Sequence, residues 1–315
     1  MPILEVRQLR KTFGDLVAVA DVSFAVEAGD VFGLLGPNGA GKSTTMMMIC
    51  GLLKADSGDV LLNGQKMQPG RHELKRLLGV VPQELAIYPE LTARENLQFF
   101  SRLYGLSGAR LKSRVDDALE RTGLTNRADD VARNFSGGMK RRLNFGCALV
   151  HEPEILILDE PTVGVDPQSR SHLLDSVQQL AGDGVTIIYS SHYMEEVQEV
   201  CRRIAIIDHG QVIAVDAIDT LLSRLSSVIR LRINGTNVAI PERYAVVATA
   251  ERTGHDEWTI EIDRGKLDAG TTLNETLATL FKDLRSDGAT LDSIETHEPN
   301  LERLFLQLTG GSLRD

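Results

Sequence analysis

Val31-Phe32-Gly33-Leu34-Leu35-Gly36-Pro37-Asn38-Gly39-Ala40-Gly41-Lys42-Ser43 is the stretch that decides the fold. Its first five residues form a short apolar run, which predicts a strand buried on both faces. Gly36 to Ser43 fit the pattern G-x-x-x-x-G-K-[ST], and Lys42 to Leu53 read as a helix closed by Lys54-Ala55-Asp56-Ser57-Gly58. Strand, glycine loop and helix in that order begin an α/β unit. The glycines let the backbone curl until several N–H groups converge on one anion, and the helix N-terminus adds a partial positive charge. Lys42 can reach outer phosphates and the Ser43 hydroxyl can ligate Mg²⁺. A turn that only joins strand to helix is the plainer alternative; the buried strand before it and the helix after it favour a phosphate-binding loop.

Further along, Ile155-Leu156-Ile157-Leu158-Asp159-Glu160-Pro161 is an apolar strand ending in two adjacent acids. At the carboxyl end of a parallel strand, Asp159 is expected beside the glycine loop, where it can hold Mg²⁺ through water. Glu160, pointing the other way, can accept a proton from a water aligned on a terminal phosphate. A strand that ends in solvated acids is the bland reading, and the upstream loop outweighs it. Ser136-Gly137-Gly138 opens a helix running from Met139 to Val150, with Lys140, Arg141 and Arg142 in its first turns. That is either an ordinary N-cap or a second anion site. Two phosphate-seeking helix starts in one chain suggest that two copies share nucleotides.

Three single residues gain meaning from their order. Phe13 follows the first strand and can stack on adenine. Gln83, in Val80-Val81-Pro82-Gln83-Glu84, can bond to Mg²⁺ or to the attacking water. His192 follows the apolar run Val185 to Ser191 and can touch the γ-phosphate. Taken alone, each is equally a turn residue, a core aromatic or a cap histidine.

Around these motifs the texture is regular. Ile3 to Val6 and Val22 to Val26 alternate as strands. Helices dominate from Leu91 to Phe135: Thr92-Ala93-Arg94-Glu95 is a capping box, Leu97, Phe100, Leu103 and Tyr104 share a face, and Leu111, Val115, Ala118 and Leu119 line a second helix. A helix near Ser169 to Ala181 and strands at Val185 to Tyr189 and Ile204 to Ile207 restore the α/β pattern. A boundary falls near 218–228. Beyond it Val228 to Ile233 and Trp258 to Ile262 alternate, Thr272-Leu273-Asn274-Glu275 opens a helix with Leu273, Leu277, Leu280 and Leu284 inside, and a last helix starts at Pro299 with Leu301, Leu304, Phe305 and Leu308. The tail is large enough for its own core.

The 315 residues carry 34 basic and 44 acidic side chains, a net charge of −10, which disfavours a general nucleic-acid binder. No stretch is long and apolar enough to span a bilayer, and no secretory signal opens the chain. Cys50, Cys147 and Cys201 are far apart among apolar neighbours, so they read as reduced core residues of a cytosolic protein.

In sequence order, aromatic, phosphate loop, glutamine, Ser-Gly-Gly, strand with Asp-Glu, and histidine resemble the nucleotide-binding subunit of an ATP-binding-cassette (ABC) transporter over about residues 2–217. The resemblance implies a P-loop NTPase α/β core with an antiparallel β subdomain and a helical subdomain. The cassette would fill residues 1–220, the helical part about 88–150, and a small C-terminal α+β accessory domain 228–310. It implies ATP and Mg²⁺ as ligands. Phe13, Gly36, Pro37, Asn38, Gly39, Ala40, Gly41, Lys42, Ser43 and Thr44 would bind nucleotide. Ser136, Gly137, Gly138 and Met139 would reach the nucleotide held by a second cassette. Ser43, Gln83 and Asp159 would attend the metal, and Lys42, Gln83, Glu160 and His192 the hydrolysis. Val163-Gly164-Val165-Asp166 would form the dimer-contacting loop. The implied partners are that second cassette and an integral-membrane permease, with no nucleic acid, on the inner face of the cell membrane. The family's usual Leu-Ser-Gly-Gly-Gln reads Phe135-Ser136-Gly137-Gly138-Met139 here, so one amide is lost. Glu298 to Gly310 is similar to the C-terminal end of drug- and antibiotic-export ATP-binding subunits, which implies an exporter of a small-molecule or lipid-like substrate. A soluble ABC ATPase of DNA repair or translation is the alternative; a nucleotide-regulated binding module and a phosphate-loop kinase leave more of the motifs unexplained.

Overall fold

A computed structural model describes residues 2–235, 240, 244, 247–266, 272–286 and 288–309. It divides into two compact units, residues 1–218 together with 305–315, and residues 219–304.

The first unit is built on a ten-stranded sheet. Its strands are β1 (Leu4–Phe13), β2 (Leu16–Val26), β3 (Val31–Leu35), β4 (Ser57–Leu62), β5 (Gln65–Lys66), β6 (Leu78–Val81), β7 (Ile155–Asp159), β8 (Thr186–Ser191), β9 (Arg203–Asp208) and β10 (Gln211–Ala217), in the spatial order β5-β4-β1-β2-β10-β9-β3-β8-β7-β6. From β9 through β3, β8 and β7 to β6 every pairing is parallel. At the other end β1, β2, β4 and β5 pair antiparallel, as does β10 with β9. The sheet therefore holds both the α/β core and the antiparallel β region expected from the sequence. All five residues of β3 are buried, and so are the first four of β7. A central parallel strand has layers on both faces, which is why these strands read as unbroken apolar runs.

The helices from α1 to α7 of this unit are α1 (Lys42–Ile49), α2 (His72–Lys75), α3 (Ala93–Leu103), α4 (Gly108–Arg121), α5 (Gly137–Leu149), α6 (Pro167–Gly182) and α7 (Met194–Val200); α8 (Ile218–Leu222) begins at Ile218, and its other residues belong to the second unit. α1 stops at Ile49, short of the expected Leu53, because Cys50 is the C-cap and Gly51 turns left-handed at φ 62. The capping box at α3 forms with both bonds, Glu95 N to Thr92 Oγ1 at 3.1 Å and Thr92 N to Glu95 Oε2 at 2.8 Å. Leu103, expected on the buried face of α3, is 63% exposed; Ser101 is buried instead and bonds to the Leu97 carbonyl. Leu111, Val115, Ala118 and Leu119 are buried together with Leu97, Phe135 and Leu143 in a separate helical core. The three cysteines are buried and free.

The second unit contains β11 (Val228–Asn234), β12 (Ala248–Arg252), β13 (Glu257–Asp263) and β14 (Thr290–His297) in the order β12-β13-β11-β14, with α9 (Leu273–Ser286). Its core joins Ile229, Leu231, Ile233, Ile260 and Ile262 to Leu280 and Leu284, with Leu273 and Leu277 packed at the margin. The last helix, α10 (Leu301–Thr309), starts after its Asn300 cap rather than at Pro299, and Leu308 is 38% exposed.

Candidate nucleotide-hydrolysis site

The loop between β3 and α1 needs glycine at its two ends. A Cβ on Gly36 would lie 2.2 Å from the Ile207 carbonyl oxygen, and one on Gly41, at φ 102, would lie 2.5 Å from that of Ala18. No side chain fits such backbone approaches. Lys42 starts α1 and is 4% exposed. Its Nζ donates to the carbonyls of Gly36 (2.8 Å) and Pro37 (3.1 Å) and lies 3.5 Å from Glu160 Oε1. Burial pulls its pKa below the ordinary lysine value, while the Glu160 and Asp159 carboxylates oppose that pull.

Asp159 ends β7 beside this loop. Its Oδ1 accepts from Ser43 Oγ at 3.1 Å and from Ser190 Oγ at 2.7 Å. A hydroxyl and a carboxylate oxygen converging in this way are hard oxygen donors of the type Mg²⁺ prefers, so the residues fit that ion. Glu160 follows in the left-handed region, φ 48, and is 5% exposed. Its backbone N–H is held by the Ser190 carbonyl at 3.2 Å and Ser190 Oγ at 3.1 Å. A non-glycine residue there stores about 1–3 kcal/mol of strain, and strain of this kind persists only where neighbours over-determine it. The carboxylate is surrounded on three sides. Gln83 Nε2 donates to Oε2 at 3.2 Å, while Lys42 Nζ and His192 Nδ1 lie 3.5 and 3.4 Å from Oε1. His192 Nδ1 makes no aligned hydrogen bond. Such a carboxylate can accept a proton, and the cation and imidazole beside it can answer charge developing on a phosphate.

Phe13, Leu16, Val17, Asn38 to Thr44, Gln83, Glu160 and His209 line one cavity of about 430 Å³. Phe13 sits at the end of β1, 48% exposed, with Lys11 Nζ 5.5 Å from its ring centroid. Two larger depressions, about 660 and 610 Å³, contain none of the motif residues, so chemistry rather than size marks the site. Ser136, Gly137, Gly138 and Met139 are not part of this cavity's lining. Ser136 caps its own helix, its Oγ accepting from Met139 N at 3.2 Å, and Ser136 and Gly137 are exposed.

Two of the three basic residues expected at that helix start turn inward. Arg141 donates to the carbonyls of Pro82, Gln83 and Val163, and Arg142 to those of Thr122 and Gly123. Arg141 thus braces the Gln83 turn, a role its neighbours in sequence do not announce. Ser190 also escaped the sequence reading. Its only local sign is a hydroxyl at the end of an apolar strand that leads to His192.

The ABC transporter profile matches residues 19–163. The linearmycin resistance ATP-binding protein LnrL of Bacillus subtilis (strain 168) is 46% identical over 316 residues, covering 99% of this chain and 100% of that protein. The chain belongs to the ABC transporter family. The Nod factor export ATP-binding protein I of Ralstonia nicotianae is 36% identical, covering 100% of this chain and 96% of its own. A solved ATP-binding subunit of an ABC transporter superposes with a TM-score of 0.65 at 32% identity, over 70% of this chain and 92% of that one. The protein is thus an ATP-binding and ATP-hydrolysing subunit of the ABC export type, and the soluble repair or translation reading is set aside. A further solved relative, cbiO1 of Clostridium perfringens, is 29% identical over 70% of this chain and 91% of its own, with a TM-score of 0.65, and is part of the ABC transporter complex cbiONQ. Among the described residues of this ABC subunit, no helix is long and apolar enough to cross a membrane.

Proposed function

We propose that this subunit drives export of a small-molecule or lipid-like substrate through a separate permease, from the inner face of the cell membrane. The names of its relatives, which speak of linearmycin resistance, daunorubicin resistance and Nod factor export, support that substrate class. The cassette would occupy residues 1–220, its helical part about 88–150, and the accessory domain 228–310.

ATP is the substrate. Phe13 would stack on adenine and the amides from Gly36 to Thr44 would surround the phosphates. Lys42 would exchange its loop carbonyls for β- and γ-phosphate oxygens. Ser43 and Asp159, with Gln83 beside them, would hold Mg²⁺, which when bound neutralises phosphate charge. Glu160 takes a proton from water as the water oxygen bonds to the γ-phosphorus. The bond to the β–γ bridging oxygen breaks, and its electron pair leaves with ADP. Gln83 and His192 keep that carboxylate and the water in line. Ser136 to Met139 of a second cassette would close over the γ-phosphate, using Ser136 and backbone N–H groups because Met139 carries no amide.

The observation that carries this reading is the strained, buried Glu160 held within reach of Lys42, Gln83 and His192. Glu160→Gln removes the base with little change of shape. Turnover is expected to fall about 10²–10⁴-fold, while ATP binding and ATP-dependent dimerisation persist. A purified variant with wild-type turnover would remove Glu160 from the role.

A further inference from the structure

Glu196, in the first turn of α7, is wholly buried yet stands outside the nucleotide cavity. Burying a carboxylate is costly unless it is fully bonded. Here Oε2 accepts from three hydroxyls: Thr162 Oγ1 at 2.7 Å, Tyr189 OH at 2.7 Å and Ser191 Oγ at 3.2 Å. Arg170 Nε of α6 lies 2.8 Å from Oε1 as a charge contact without an aligned N–H. Burial, reinforced by this carboxylate, pushes the Tyr189 hydroxyl far above the ordinary phenol range, so it stays a donor.

The donors come from the segments that matter for hydrolysis. Thr162 is two residues past Glu160 in the turn leading to Gly164 and Asp166, and is itself buried. Tyr189 and Ser191 end the strand that delivers His192, and Ser191 Oγ also accepts from Tyr193 N at 2.9 Å. Arg170 lies 5.4 Å from the centroid of the Tyr193 ring, and that ring tilts against His192 at 4.1 Å. One carboxylate thus joins the turn after Glu160 to the backbone and ring that place His192. An aliphatic residue would fill the same space without the desolvation cost, so the charge is there for its bonds.

We infer that Glu196 is a positioning residue that locks the Glu160–Asp166 turn and His192 into one register, so that a shift of that turn against a second copy is transmitted to the histidine. The inference rests on the proposed roles of Glu160 and His192 but adds a residue that touches neither nucleotide nor water.

The test uses the purified full chain and steady-state ATP hydrolysis. Thr162→Val keeps the shape and deletes the hydroxyl; Thr162→Ser restores it. Losing one hydrogen bond to a charged group corresponds to about a tenfold effect, so kcat of Thr162→Val is expected to fall about tenfold with KM held within about twofold. Thr162→Ser should recover to within about threefold of wild type. Arg170→Gln, at a partly exposed position that leaves the core alone, should lower kcat severalfold at constant KM. Unchanged kcat in both Thr162→Val and Arg170→Gln overturns the inference, as does equal damage in the Val and Ser variants, which would mean packing alone. Glu160→Gln run alongside separates the two readings: if it is inactive while Thr162→Val and Arg170→Gln are both normal, only the role of Glu196 fails.

Discussion

Gly137 and Gly138 are adjacent in sequence and identical in chemistry, yet alanine should do opposite things at the two positions. A Cβ on Gly138 would lie 2.2 Å from Ser169 Oγ, 2.5 Å from Asp166 Oδ2 and 2.6 Å from Ser169 Cβ. Those atoms form the cap of α6, where Asp166 Oδ1 accepts from Ser169 N at 2.9 Å. Overpacking costs about 1–3 kcal/mol and a lost cap about 1, against roughly 1 gained from alanine's helix propensity. The net expectation is about 1–3 kcal/mol, or a melting point lower by roughly 3–10 °C for a unit of this size. A Cβ on Gly137 meets only the Gly164 carbonyl oxygen, at 3.9 Å. Gly137→Ala should therefore melt no lower than wild type, with a gain of up to about 1 kcal/mol. Its cost is expected in function, because a methyl group at the exposed helix start would keep the backbone from a phosphate held by a second copy. Thermal unfolding followed by circular dichroism, with ATP turnover on the same samples, decides both. A Gly138→Ala protein that melts with wild type refutes the packing argument, and a fully active Gly137→Ala protein refutes the close approach.

Lys42→Ala should lose nucleotide affinity by well over tenfold, since the buried ammonium is the one charge within the loop that can meet outer phosphates; isothermal calorimetry with ATP checks it. Ser136→Arg should leave ATP binding to a single copy intact and abolish turnover, because Ser136 is exposed and absent from its own chain's cavity; retained hydrolysis would contradict a shared site. The Asp56 carboxyl is pushed down to about 2 from 3.8, chiefly by the Lys11 ammonium and then by the Thr12 hydroxyl and N–H. A depressed carboxylate stabilises the fold fully above its unfolded value, and that contribution is lost as pH falls from near 3.8 to about 2. The difference in denaturant midpoint between wild type and Asp56→Asn should accordingly be present at pH 6 and shrink within that acid window.

Much of the site was legible because it rests on short, local rules. The glycine loop, the apolar strand ending in Asp159 and Glu160, and the capping boxes at Thr92 and Thr272 each require particular residue types at particular spacings. Amphipathic periodicity was a coarser guide. It placed Leu103 inside because the spacing allowed it, whereas α3 ends there and the packed helices do not cover that position. It missed β12, whose residues after Ala248 are exposed, and β14, whose half-buried positions are the polar Ser293, Glu295 and His297.

The order of the chemistry along the chain is written in short stretches of sequence: a phosphate cradle, a second helix tip, a pair of acids and a histidine, each encoded by neighbouring residues. How these pieces meet is a matter of packing across the fold. Ser190 bridges Asp159 and Glu160 across two strands, Arg141 braces Gln83 across two elements, and Glu196 gathers three hydroxyls from a turn and a strand end. The reason is physical. A loop's conformation is set by its own glycines and caps, whereas a buried polar contact is chosen by desolvation and reach between residues far apart in sequence, which no local pattern records.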